Sequence, residues 1–287
     1  MDFRAFLLAA TFVSPVLTAP PIWAEAQTAQ PGEPQSLAAF SRILMIDDTL
    51  DVMRAEGWKH STDLSDSLFP DQNTAAWADL VSMIYDTGKM QVRFEAALAE
   101  AVGRDAKTLA AAQEFFASDL GQRVMSLEIE ARRTLLDDAA EAAAKSAWAG
   151  LVADKSARVD QITRFGRSND LIESNVMGAL NANLAFYRGL STQGGFGDPI
   201  SEDQMLAEVW GQESEIRSET TDWLYPFLAL AYQPLTDAEL DRYIAFSETD
   251  AGKKINSAIF VAFDAVMVRV SADLGHAAGQ LMAGQDI

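Results

Sequence analysis

The sequence contains no cysteine, which excludes disulfide staples, thiol nucleophiles and thiolate metal sites in one step. With only two histidines, His60 and His276, there is also little from which to build a zinc site or a histidine-based triad. Positive charge is scarce: 22 lysines and arginines stand against 42 acids, a net charge of −20. Such a surface repels phosphate backbones and anionic headgroups, so nucleic acid is not an expected partner. Proline is rare from Leu37 onward, where only Pro70, Pro199, Pro226 and Pro234 occur. Nothing longer than a few residues alternates as a strand does, and there is no GxSxG elbow, phosphate-binding glycine loop or calcium loop.

What is present is apolar and helical. Residues 1–26 carry one cation, Arg4, an apolar run from Ala5 to Leu17 broken by Pro15, and an Ala24-Glu25-Ala26 ending. This is the pattern of a cleaved export signal, cut after Ala24 or Ala26. The run is shorter than the roughly 20 apolar residues that a bilayer span needs. Removing the signal leaves the acidic excess nearly unchanged and predicts a soluble periplasmic protein. "QTAQPGEPQS" (27–36) comes next as a polar linker. Beyond it, alanine-rich segments with apolar spacings of three and four predict helices at 37–56, 61–68, 73–102, 106–117, 119–152, 156–188, 202–231, 237–247 and 250–282. Ser201 with Gln204, and Thr236 with Glu239, have capping-box spacing, and Asp105 stands where a cap is wanted. "GLSTQGGFGDPI" (Gly189 to Ile200) is the strongest breaker and reads as a connecting loop.

One internal similarity organises the chain. "FFASDLGQRV" (Phe115 to Val124) aligns without gaps on "FSETDAGKKI" (Phe246 to Ile255), an offset of 131. The same offset pairs Asp105 with Thr236, Leu109 with Leu240, and Ser126 with Ser257. In each stretch the physics predicts a helical corner. Ser118 or Thr249 caps the second helix, and Asp119 or Asp250 enters its positive first turn. Gly121 or Gly252 lets the preceding helix pack close. The helices that leave the two corners differ. The second, "AIFVAFDAVMV" (258–268), is apolar but for Asp264, and predicts a central helix with the stripe Ile255, Ile259, Ala262, Val266, Val270, Leu274, Ala277 and Leu281. Arg269 and Asp273 argue against a membrane span there.

At this second corner, preceded by "PLTDAELDRYIAF", the chain resembles the bacterial domain-of-unknown-function 2059 family. Phe246, Thr249, Gly252 and Lys254 occupy the family's aromatic, turn, glycine and basic places, while Asp250 stands where proline is common. The resemblance covers about 205–280 directly and 90–145 as a weaker second copy. It implies a Gram-negative periplasmic helical protein and brings no catalytic residues.

Three further stretches carry polar groups that chemistry could use. "DLSDSLFPDQN" (63–73) lacks calcium-ligand spacing and reads as a capped turn. On the helix "NDLIESNVMGALNANLAFYRG" (169–189), Asn175, Gly178 and Ala182 share one face, with Asn181 and Asn183 flanking, and Val176, Leu180, Leu184 and Tyr187 mark another. Small residues there predict close helix packing with amides bonded across it. "EIEARR" (Glu128 to Arg133) reads as a solvated charged strip. The aromatics Trp77, Tyr85, Trp223, Tyr225 and Phe227 read as core.

The expectation is an all-α bundle of two related halves, 37–153 and 154–287. No catalytic, cofactor or metal residues are assigned. The favoured role is a non-catalytic interaction or scaffold module of the envelope, partnered by an envelope protein. The alternatives are a carrier of an apolar small molecule between helices and a carboxylate-dependent cell-wall hydrolase.

Overall fold

The computed structural model describes residues 37–69, 75–103, 105–193 and 200–283. The expected export signal and linker, residues 70–73 of the acidic turn and residues 194–199 of the glycine-rich stretch lie outside that set. Every element within it is an α-helix: α1 (Leu37–Ile43), α2 (Ile46–Leu68), α3 (Ala75–Ile84), α4 (Thr87–Val102), α5 (Ala106–Phe116), α6 (Asp119–Thr134), α7 (Asp138–Ala153), α8 (Ala157–Ser168), α9 (Leu171–Ser191), α10 (Glu202–Gly211), α11 (Glu213–Tyr232), α12 (Asp237–Ser247) and α13 (Asp250–Ala283). Side-chain caps fix many of the starts. Ser201 and Thr236 each close a full capping box, and Asp105 accepts from the Thr108 amide. Each such cap satisfies amides that the first turn leaves without a carbonyl.

Several boundaries differ from the periodicity, each for a local reason. Gly57 does not end a helix; α2 runs through it, and the bare backbone makes room for the Tyr85 ring, which a methyl group there would overlap. The expected helix 73–102 breaks before Asp86, which caps α4 by accepting from the Lys89 amide. Likewise 119–152 breaks before Asp137, which caps α7. The helix expected over 156–188 breaks at Asp170, which takes a left-handed φ of 53°, and 202–231 breaks at Gln212. Gly189, Leu190 and Ser191 are the last turn of α9 and no loop. A methyl at Gly189 would strike the carbonyl of Ala272, and one at Gly275 the carbonyl of Phe186, so α9 and α13 meet backbone to backbone.

Helix α13 is long and apolar enough, by length and composition, to cross a membrane. Here it packs against α3, α4, α5, α9 and α12. Its stripe from Ile255 to Ala277 is buried except for Ile259, which packs partly covered against the core. The main apolar cluster draws side chains from every helix but α10. A second, smaller one joins Val176, Leu180 and Tyr187 of α9 to Met205 and Val209 of α10 and Ile216 of α11.

The two aligned stretches form corners with matching hydrogen bonds. Ser118 Oγ donates to the Phe115 carbonyl at 2.6 Å and accepts from the Gly121 amide at 3.1 Å. Thr249 Oγ1 donates to the Phe246 carbonyl at 2.7 Å and accepts from the Gly252 amide at 2.9 Å. A methyl at Gly121 or Gly252 would collide with the carbonyl of Phe115 or Phe246, respectively. The corners face each other: the rings of Phe115 and Phe246 stack at 4.1 Å, 4° from parallel. Each corner also braces the other's cap. Lys254 Nζ reaches Asp105 Oδ2 at 2.8 Å, and Arg123 Nη1 reaches Glu239 Oε1 at 2.7 Å. The Lys254 ammonium, followed by the Thr108 amide and hydroxyl, holds the Asp105 carboxyl down to about 2. The exchange extends to whole helices, for α4 packs on α13 and α6 on α11.

Candidate functional site

Where these two corners meet, the packing leaves a cavity of ≈ 100 Å³. The turn between α1 and α2 contributes Leu44 and Ile46, α6 contributes Met125 and Glu128, and α8 contributes Phe165. Helix α11 adds Leu224, Phe227, Leu228 and Tyr232; α12 adds Tyr243 and Phe246; α13 adds Gly252, Ile255, Ile259, Phe260 and Phe263. The rings interlock around one end. Phe165 meets Tyr232 edge-on at 5.4 Å, and Tyr232 meets Tyr243 edge-on at 5.9 Å.

Glu128 is the one carboxyl among the described residues that line this cavity. It is 5 % exposed. The hydroxyls of Tyr232 and Tyr243 both donate to its Oε1, at 2.6 and 3.1 Å. Among the described residues none donates to Oε2. Burial pushes the carboxyl up to about 7, with the two tyrosine bonds pulling the other way. Burial, and then the Glu128 charge, raises both tyrosines well above their ordinary range, so they remain donors at any ordinary pH. The arrangement can therefore accept a hydrogen bond, or counter a positive charge, inside a mainly apolar lining to which Asn169, Ser247 and Asn256 add uncharged polar groups. A glycosidase needs a second carboxyl across the cleft, and the described lining supplies none.

This site overturns the reading of "EIEARR" as a solvated strip. Glu128 is buried against the tyrosines, and Arg132, 1 % exposed, forms a two-pronged pair with Glu56 at 2.5 and 2.6 Å. Both charges turn inward because they fall on the apolar stripe of α6, in step with Val124, Ala131 and Leu135, all buried. The signal was in the sequence: at the offset of 131, Glu128 corresponds to Ile259 and Arg132 to Phe263, positions on the core side of α13.

The other candidates are dispersed. Asn175, Gly178 and Ala182 do share a face, and with Asp264 they line a narrow cleft of ≈ 30 Å³ between α9 and α13. Asn181 bonds across to Asp264 at 3.0 Å, and Asn183 to Gln212 at 3.0 Å. Asn175 instead donates to the Leu171 carbonyl of its own helix. Val176, Leu180 and Tyr187 lie in the second core, with Leu184 packed against it. His276 is held between Thr192 and Gln193. No grouping of three or more potential metal ligands occurs among the described residues. Trp77, Tyr85 and Phe227 are core, while Trp223 and Tyr225 are partly covered. No family model matches the chain, nor does any curated protein or solved structure.

Proposed function

We propose that this protein binds one small, mainly apolar molecule in the cavity between its two corners, acting as a carrier and not as a catalyst. The observation that carries this reading is the lone buried carboxyl. A well-packed core gains nothing from a buried acid, whereas a mainly apolar pocket with a few placed polar groups is the usual form of a small-molecule site. An apolar cavity of about 150 Å³ lined by leucine, isoleucine and phenylalanine accepts benzene, and this one is of the same order. An interaction module would instead need an apolar surface gathered in one place. The large exposed apolar side chains among the described residues, such as Trp58 of α2, Val92 of α4 and Trp210 of α10, fall one to a helix on seven helices.

The acidic composition and the leader-like first 26 residues support a periplasmic carrier. The matched corners, with their reciprocal braces, support an origin of the chain by duplication within the domain-of-unknown-function 2059 family. Ligand-observed NMR with toluene tests the binding claim. Saturation transfer is expected with the native chain and is lost in Ile259→Trp, whose indole fills the cavity. Equal signals from the two proteins would place the toluene elsewhere and refute the reading.

A further inference from the structure

The cavity's chemistry narrows the ligand beyond "apolar". Of the described side chains that line it, eight are aromatic, one is a carboxyl, three are the uncharged polar Asn169, Ser247 and Asn256, and none is lysine, arginine or histidine. Aromatic faces carry negative potential, and enclosure by rings beside a carboxylate is how proteins recognise ammonium centres. Two tyrosine hydroxyls pin Oε1 of Glu128, which fixes the direction of Oε2, to which none of the described residues donates. Arg132, one turn along α6, is committed to Glu56 and does not neutralise the site. We propose that the ligand is a small organic cation, an ammonium centre seated against Glu128 Oε2 and the surrounding ring faces. This rests on the cavity being a ligand site.

Two competing ligand chemistries fit worse. An anion would meet a carboxylate and ring faces with no counter-charge. A wholly apolar molecule gives no reason for an acid where the equivalent position of the second corner is Ile259. The cation also answers the burial of Glu128, because a positive charge at Oε2 favours the ionised form and drives its proton to solvent. The titratable groups that face Glu128 are Tyr232 from α11 and Tyr243 from α12. The remaining lining from α1–α2, α8 and α13 is uncharged. Affinity for the cation therefore falls with the ionised fraction of Glu128 as pH drops through about 7, by about tenfold between pH 8 and pH 6.

Isothermal titration with choline and with its neutral carbon isostere, 3,3-dimethylbutan-1-ol, separates the possibilities. At pH 8 the native chain is expected to bind choline at least tenfold more tightly than the alcohol. That preference should collapse at pH 6 and in Glu128→Gln, while the alcohol's affinity changes in neither case. Equal affinity for both probes at pH 8 would overturn the cation and leave the apolar site standing. Binding of neither probe would remove the ligand site itself and the cation with it. A choline preference that survives both low pH and Glu128→Gln would show that the cation is not held by this carboxylate.

Discussion

Glu128 carries the account at the scale of single residues. Its carboxyl rises from an ordinary 4.5 to about 7 on folding, so the native chain holds this proton more tightly than the unfolded chain does. The stability it contributes is then complete below about pH 4.5 and is lost as pH rises through 7, by about 3 kcal/mol in all. Glu128→Gln keeps an acceptor for both tyrosines and removes the titration. Urea unfolding is expected to show the variant close to the native chain at pH 4.5 and about 3 kcal/mol more stable at pH 8. Parallel pH dependences in the two proteins would mean that this carboxyl is not buried as described. The residue was hard to read because periodicity ranks charged side chains by type. It treats "EIEARR" as an outside strip even though Val124, Glu128, Ala131 and Leu135 step by three and four. Comparison with Ile259 at the second corner is the reading that finds it.

At the scale of elements, the corner is what builds the cavity, since Gly252 lets α13 pass against the end of α12 and Phe246 and Gly252 both line the space. Gly252→Ala forces a methyl into the Phe246 carbonyl and is expected to cost 2 kcal/mol or more, at the scale of an overpacked core (~1–3 kcal/mol). Gly150→Ala on exposed α7, where a methyl meets nothing within 4 Å, should instead stabilise by about 0.5–1 kcal/mol. Thermal unfolding of the two variants checks both signs, and a tolerated Gly252→Ala would contradict the close crossing. The same elements mark what periodicity resolves. The capping boxes at Ser201 and Thr236 are legible because a hydroxyl and its partner sit three residues apart before an apolar run. Asp86, Asp137 and Asp170 are not, since an acid inside a stretch of helical spacing looks like any solvated position until tertiary packing decides where the helix stops.

At the scale of the whole molecule, an all-α architecture is set by what the chain lacks: no cysteine staples, few prolines, no alternating strands. The central place of α13 is equally visible in its unbroken stripe. The cavity was not visible, because it forms where α6, α8, α11, α12 and α13 converge, between residues as far apart in sequence as Leu44 and Phe263. Local pattern reports which face a helix buries and is silent on the space left when several such faces meet. The acidic surface, a net −20 over the chain, adds a long-range pull on cations that salt screens, consistent in sign with the carboxyl inside. Native mass spectrometry of the protein, released gently from the cells that make it, tests whether the cavity holds a ligand. One small organic molecule per chain is expected, retained by the native protein and absent from Ile259→Trp. A native chain that is empty as isolated, and stays empty when small apolar and ammonium compounds are added in excess, would contradict it.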